Sequence, residues 1–485
     1  RATGRTERLA REVRRDVDIL LAHGYYLYED PHELKVMKPY PPLGILYNSA
    51  YLKSKGFDVG LFDSTFQNKQ AFFDLLERER PPVVGIYCNL MTKFNVLEMI
   101  QACKRIGATV ILGGPEPPHY AGEYLARGAD IVVIGEGELA LEELLPHVAR
   151  HGFEGLDGIQ GIAYRDGDGQ VVRTPARAFV PVLDTLPWPD RPSIDLHQYV
   201  NTWREHHGVG SVSLITARGC PFTCKWCSHS VYGVSHRRRS VQNVADEVEW
   251  LLETYKPDML WYADDVLTIH RTWFLTYAAE LKRRGIRIPF ECISRADRLN
   301  PEIVQALEDI GCSRLWIGAE SGSQRILDAM DRKTNVERVR EMTRLLQQHG
   351  IETGMFIMLG YEGETTEDLE ATVDHLKKAN PDIFLTTVAY PIKGTGYYNE
   401  VESRVLAHLP WEQRTDRDLT VAGRRSKRYY SFATRWMVNE VVWHKQRLSP
   451  SPDYPRMMKA FANARIGRLG MRLTEREVET GTPAK

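Results

Sequence analysis

The sequence predicts an α/β protein in three parts: an N-terminal doubly wound, Rossmann-like domain, a partial (βα)6 TIM-like barrel, and a mainly helical C-terminal tail. Three observations predict this. Over residues 16–150 short apolar runs alternate with helix-period segments; over 206–400 the alternation repeats six times; from 401 to 485 helical patterns dominate. Residues 151–205, between the first two parts, read as a hairpin and a proline-rich linker.

In the first part Val17–Leu21, Val59–Phe62, Val83–Cys88, Thr109–Leu112 and Ile131–Ile134 read as strands. Helix-period segments lie between them, such as Leu43–Lys55, stopped by Gly56, and Phe94–Arg105, stopped by Gly107. Near-continuous apolar strands separated by helices imply a parallel sheet covered on both faces. Ligands of such sheets sit beyond the strands' carboxyl ends. Ile159–Arg165 and Gln170–Thr174 flank the turn Asp166-Gly167-Asp168-Gly169, a hairpin signal, and Pro181, Pro187, Pro189 and Pro192 mark the linker.

The second part reads as six strands: Ser211–Thr216, Met259–Tyr262, Phe290–Ile293, Arg314–Ile317, Thr353–Met358 and Ile383–Tyr390. Its helices, among them Val241–Tyr255, Asn300–Ile310 and Thr366–Ala379, begin at Ser, Asn or Thr caps and end near Gly. Six such units are too few for a closed eight-strand barrel, and their reactive residues belong at the carboxyl-end face.

The 485 residues are 43% hydrophobic and 26% charged, with 63 Lys+Arg against 64 Asp+Glu. That balance leaves no basic footprint for nucleic acid. Seven cysteines are too few for a disulfide scaffold, which places the chain in a reducing cytoplasm. No stretch approaches the roughly 18 apolar residues of a span. The charged start Arg1–Arg5 has no apolar run behind it, so neither a transmembrane span nor a signal peptide is expected.

Only one cysteine cluster is dense. Cys220, Cys224 and Cys227 stand in Arg218-Gly219-Cys220-Pro221-Phe222-Thr223-Cys224-Lys225-Trp226-Cys227, in the loop after the barrel's first strand. With His229 or His236 as a fourth ligand they would suit zinc, and hence a zinc-stabilised binding protein. Three thiolates alone suit an iron–sulfur cubane with one iron left free. Cys88, Cys103, Cys292 and Cys312 read as packing residues.

The Cys-x3-Cys-x2-Cys spacing, with Trp226 before the third cysteine, resembles the radical S-adenosylmethionine (SAM) superfamily. The resemblance implies a [4Fe-4S] cluster held by Cys220, Cys224 and Cys227. Its free iron chelates SAM, and electron transfer from an external flavodoxin- or ferredoxin-type donor cleaves SAM to a 5′-deoxyadenosyl radical. On the same resemblance, Trp226, Asp264 (in Asp264-Asp265 ending the second strand), Arg295 after the third, and Gly318, Glu320 and Ser321 after the fourth would contact SAM. Met358–Thr365 follows the fifth strand, and Pro391 with Gly394-Thr395 resembles the family's adenine-side turn. Tyr390 and Tyr398 are candidates for substrate contact.

A doubly wound domain in front of such a core resembles the cobalamin-dependent subclass, which includes methyltransferases and an anaerobic ring-forming cyclase of bacteriochlorophyll synthesis. The resemblance implies that cobalamin is held at Pro42, Leu43 and Gly44, at Asn89, Leu90, Met91 and Thr92, at Gly113, Gly114 and Pro115, and at Glu136 and Gly137. The Asp-x-His-x-x-Gly motif that supplies cobalt with a histidine is replaced by Pro39-Tyr40-Pro41-Pro42-Leu43-Gly44, and Asp30-Pro31-His32 is only a near miss. A lower face without a protein histidine is therefore expected. The function implied is methylation of an unactivated carbon by way of methylcobalamin, or oxidative ring closure with the same cofactors, on a small-molecule substrate that is large and hydrophobic in one reading. A monomer is expected. In the tail, Arg424–Tyr430 through Trp436 and Trp443 reads as an aromatic face packed on the barrel or as an amphipathic helix at a membrane surface.

Overall fold

The structure of the protein, a computed structural model, describes residues 17–481. The predicted domain start at residue 16 and the reading of Arg1–Arg5 lie outside the described residues. Among the described residues two compact units emerge: 17–210 with 230–233, and 211–229 with 234–481.

The first unit is built on a seven-stranded sheet: β1 (Ile19–His23), β2 (Val59–Phe62), β3 (Val83–Tyr87), β4 (Thr109–Gly113), β5 (Ile131–Val133), β6 (Ile162–Arg165) and β7 (Val171–Arg173), in the order β2-β1-β3-β4-β5-β6-β7. The first five strands are parallel. The hairpin β6–β7 adds antiparallel to β5, so it extends the sheet instead of leading away from it. The core is aliphatic: Ile19, Leu21, Ile111, Ile131 and Ile162 meet Leu141, Leu144 and Leu145 of the helix Gly137–His151.

The proline-rich stretch is not a free linker. Asp190 accepts hydrogen bonds from Ser49 Oγ and Lys53 Nζ, both at 2.6 Å, and its backbone N–H donates to Leu46. Prolines set the backbone, but these bonds fix the path. The helix Leu196–His207 that follows, capped by Asp195, was not expected, and its buried Tyr199 hydroxyl donates to the Asp63 carboxylate and accepts from Thr65 Oγ1 at 2.6 Å.

The second unit carries β8 (Ser211–Leu214), the two-residue strands β9 (Ala217–Arg218) and β10 (Arg237–Arg238), β11 (Met259–Tyr262), β12 (Phe290–Ser294), β13 (Cys312–Glu320), β14 (Glu352–Leu359) and β15 (Ile383–Val388). Six of these form one all-parallel sheet in sequence order, β8-β11-β12-β13-β14-β15, an open curved barrel with helices between strands. β9 and β10 pair antiparallel at the base of the cysteine loop. Caps mark the helices as expected: Ser240, Asn300 and Thr365 each satisfy a first-turn N–H, contributing about 1 kcal/mol apiece.

The tail is less purely helical than its pattern suggested. A two-stranded ribbon, β16 (Val405–Leu406) with β17 (Thr420–Val421), precedes the helices Lys427–Leu448 and Tyr454–Thr474. The first of these buries Tyr429, Tyr430, Trp436 and Met437. Tyr429 and Thr366 hydroxyls lie 3.1 Å apart and Lys377 donates to Glu440 at 2.7 Å, so this helix docks on the barrel helix Thr366–Ala379.

Candidate functional site

In the second unit the strand ends converge on the cysteine loop. The loop is pegged by backbone bonds: Lys225 N–H to Met330 O at 3.0 Å, Tyr397 N–H to Lys225 O at 2.7 Å, and Cys227 N–H to Cys224 O at 3.1 Å. Trp226 packs on the apolar cluster of Ile326, Met330 and Met358, which orients the chain between the second and third cysteines.

Cys224 is buried and lies between two guanidinium groups. Arg295 Nη1 is 3.7 Å and Arg332 Nη1 is 3.8 Å from its sulfur. Arg295 is 1% exposed, stacks over Phe222 at 3.7 Å, and donates to Asp297 and to the carbonyls of Arg332 and Lys333. Arg332 donates to Gly318 O at 2.7 Å and lies 5.9 Å over Trp226. Burial pushes the Cys220 and Cys227 thiols up, Cys227 to about 12, and the charges of Asp265 and the other cysteines push the same way. Three thiols whose thiolate forms would repel one another, with two buried guanidinium groups at Cys224, form a donor set that would exchange its protons for a cationic metal cluster, so the residues fit a cubane. Among the described residues no three His, Cys, Asp or Glu side chains converge as ligands of a single ion.

Glu320 ends β13 with a positive φ of +60° and is buried, which raises its carboxyl to about 7 despite the opposing charges of Arg332 and Arg295. Gly318 leaves room for this: a Cβ there would stand 2.5 Å from Arg332 Nη2 and 2.8 Å from Glu320 Oε1. Strain and desolvation at one residue mark a site that awaits a charged partner.

The other expected positions differ in what they do. Asp264 is buried and accepts from the N–H and hydroxyl of Thr216, which ties β11 to β8. Asp265 is the carboxylate whose charge reaches Cys220 and Cys227, and burial raises it. Ser321 Oγ accepts from Ser323 N–H and meets Thr372. Tyr390 and Tyr398 are half-buried after β15. Arg332 and Asp265 were missing from the expected set: Arg332 sits beyond a helix, far from any motif, whereas Asp265 was visible beside Asp264. Both ring nitrogens of His236 are engaged, by Gly219 O at 3.2 Å and Arg238 Nε at 3.4 Å.

In the first unit the strand ends carry turns. Asn89 Oδ1 accepts from the N–H groups of Met91 and Thr92, while Thr92 Oγ1 accepts from Asn89 N–H, so both side chains are used to build the loop after β3. Gly114 has φ +104°, and a Cβ there would stand 2.3 Å from Cys88 O, whereas a Cβ on Gly113 would meet nothing within 4 Å. Pro42 caps the helix Leu43–Ser54 and Leu43 is buried. Gly44 lies near the Tyr87 ring. Leu90 and Pro115 are half-buried and Met91 is exposed. Glu136 accepts from Val180 N–H at 2.7 Å, and Gly137 abuts the Asn48 side chain. A buried polar cluster went unforeseen: Lys93, 3.8 Å from Glu116, with Glu116 also bonded by Tyr124 and within 3.5 Å of Cys88. His32 is exposed beside Glu33, and His23, at the end of β1, is buried against Asp63 at 2.9 Å.

The Radical SAM superfamily model matches residues 214–376, and the B12 binding domain model matches 34–145. The chain is a cobalamin-dependent radical SAM enzyme. Its cofactors are a [4Fe-4S] cluster, SAM and cobalamin, which sets aside the zinc-stabilised binding protein. The enzyme is 27% identical over 388 residues to an uncharacterized methyltransferase of Pyrococcus horikoshii, covering 78% of this chain and 82% of that one. It is 28% identical over 381 residues to the anaerobic magnesium-protoporphyrin IX monomethyl ester cyclase of Rubrivivax gelatinosus, covering 76% and 67%. The solved cobalamin-dependent S-adenosylmethionine radical enzyme OxsB shares the fold at TM-score 0.74 and 17% identity, covering 95% of this chain and 72% of that one. Enzymes of this kind act on small molecules and take electrons from an external reductant. Among the described residues no helix is long and apolar enough to cross a membrane.

Proposed function

We propose that the enzyme methylates an unactivated carbon of a small molecule. The observation that carries this is the pairing of a B12-binding unit with a radical SAM core in one chain, shared along 82% of the length of a relative named a methyltransferase. When bound, the cluster and SAM supply a carbon-centred oxidant, and cobalamin supplies a methyl carrier.

The chain's own residues have definable tasks in this reading. Cys220, Cys224 and Cys227 hold the cluster, and Arg295 and Arg332 offset its negative charge at Cys224. Glu320, enclosed and partly protonated near neutral pH, takes up an ammonium or hydroxyl partner, with Trp226, Gly318 and Ser321 around it. Asp264 positions β11 against β8 through Thr216. In the first unit, Gly113 and Gly114 with Pro115, the Asn89–Thr92 turn, Pro42–Gly44 and Glu136-Gly137 admit the corrin or its tail by backbone shape. Pro39–Gly44 carries no histidine where the Asp-x-His-x-x-Gly motif would place one, so in this reading the protein would supply cobalt with no histidine. A nitrogen hyperfine signal from imidazole in the Co(II) electron paramagnetic resonance spectrum overturns that assignment. Tyr390 and Tyr398 line the substrate side. The reading takes the enzyme as a cytoplasmic monomer served by a flavodoxin or ferredoxin, with a large hydrophobic substrate.

Product analysis tests the reading. Methyl transfer yields both 5′-deoxyadenosine and S-adenosylhomocysteine in each turnover of the cobalamin-replete enzyme. 5′-Deoxyadenosine alone would support the second reading, oxidative ring closure, which the comparable identity to the cyclase favours.

A further inference from the structure

The helix Tyr454–Thr474 is packed inside out. Its buried residues are small: Ala460, Ala464, Gly467, Gly470 and Thr474, with Met471 the one long exception. A Cβ on Gly467 would stand 2.6 Å from the Trp436 backbone, and one on Gly470 would stand 2.3 Å from the Phe432 ring. This face therefore serves close approach to the helix Lys427–Leu448. The large apolar side chains point the other way. Tyr454 is 64% exposed, Met458 59%, Ile466 48%, Leu469 58% and Leu473 75%.

At 100° per residue Tyr454, Met458, Ala462, Ile466, Leu469 and Leu473 fall on one stripe opposite the buried face. Burial cannot account for these residues within the described structure, and scattered surface leucines do not usually align over five turns. The charge on the same helix is one-sided. It carries Arg456, Lys459, Arg465, Arg468 and Arg472 and no acid. Arg468 is matched by Glu370, while Arg456, Lys459, Arg465 and Arg472 are exposed. Lys459 borders one edge of the stripe; Arg465 and Arg472 border the other. The nearest following acids are engaged elsewhere, Glu475 with Arg425 and Glu477 with Arg428.

We propose that this helix lies in the interface of an anionic lipid surface, with the apolar stripe among the acyl chains and the flanking cations at the headgroups. An apolar stripe bordered by long cationic side chains is the pattern of an interfacial helix. A second copy of the chain would satisfy the apolar stripe but would set Lys459, Arg465 and Arg472 against their own counterparts, whereas an anionic bilayer satisfies both. The surface-seeking helix is thus not the aromatic one, Lys427–Leu448, whose rings are spent on the barrel (Tyr429, Tyr430) and on its partner (Phe432, Trp436, Trp443), but that partner.

Flotation of the full chain with vesicles tests this. The protein should rise with phosphatidylcholine vesicles containing about a third phosphatidylglycerol and stay below with phosphatidylcholine alone. Leu469→Glu with Leu473→Glu, both at solvent-exposed sites, should abolish flotation while iron content after reconstitution stays unchanged. Arg465→Gln with Arg472→Gln should weaken vesicle affinity about 30-fold, at roughly tenfold or less per cation. Equal flotation with neutral vesicles, or no flotation, overturns the proposal. So does a dimer in sedimentation that the two Leu→Glu changes dissolve without any flotation, which assigns the stripe to a second copy.

Discussion

The carboxyl ends of the two sheets are furnished differently. In the radical SAM core they present buried charge: Arg295 and Arg332 against Cys224, with Glu320 enclosed at the end of β13. In the B12-binding unit they present turns and glycines, and the buried charges Lys93 and Glu116 are matched to each other and to Tyr124. A cofactor with charged groups requires charges already in place, whose desolvation the fold bears beforehand. A large flat cofactor with a neutral amide rim asks mainly for shape and backbone approach. The comparison teaches that the first site is built from side-chain identity and the second from backbone conformation.

The largest expected effect separates the two sites outright. Replacing Cys220, Cys224 or Cys227 by Ala should abolish the visible absorbance and iron content of anaerobically reconstituted enzyme, yet leave its corrin content near that of the unaltered chain. Loss of both on one substitution would mean that the two sites are not independently furnished.

Next in size is the buried pair of the first unit. Lys93 is 1% exposed. Lys93→Met removes the buried cation beside the Glu116 carboxylate and should cost about 3–5 kcal/mol in urea unfolding, with much of it recovered in the double variant Lys93→Met, Glu116→Gln. A cost under about 1 kcal/mol would show that Glu116 reaches water and that this charge is not matched internally.

The two neighbouring glycines after β4 test the backbone half of the comparison. Gly114→Ala forces a side chain into φ +104° and onto Cys88 O, and should cost about 1–3 kcal/mol. Gly113→Ala points a methyl into open space and should leave the melting temperature unchanged while lowering cobalamin affinity, measured by equilibrium dialysis. Unchanged affinity would move the corrin away from the end of β4.

These differences also decide what could be read from sequence. The eleven parallel strands of the two sheets were placed within a few residues, because apolar runs between glycine and proline are a backbone-level signal. The cysteine loop was legible since thiols at spacings of four and three have few other uses. Arg332 was not: its partner Cys224 is 108 residues away, and only the fold brings them together. Asn89 and Thr92 were expected at the cobalamin, and in the structure their side chains close the turn, a task sequence spacing does not separate from binding. The proline-rich stretch read as a linker because proline signals a break, while the bonds of Asp190 that pin it to the first unit involve positions 137 and 141 residues away.

The smallest effect per step is electrostatic and runs in opposite directions in the two units. In the first unit burial would raise Asp63, but hydrogen bonds and charge from His23 and hydrogen bonds from Tyr199 hold it below its usual 3.8. Its contribution is present above pH 3.8 and is lost as acid protonates it in the fold. In the core, burial lifts Glu364 to about 8 against the bond from Gly360 N–H, with Asp368 adding to the rise. Between pH 4.5 and about 8 the folded state then holds a proton that the unfolded chain has released, so stability falls as pH rises, by at most about 1.4 kcal/mol per unit. Glu364→Gln should flatten this slope in urea titrations across that window and leave the acid-side loss from Asp63 in place. If the slope survives the substitution, the proton is held elsewhere in the core, and the contrast between a unit with matched carboxylates and one with a desolvated carboxylate fails at this residue.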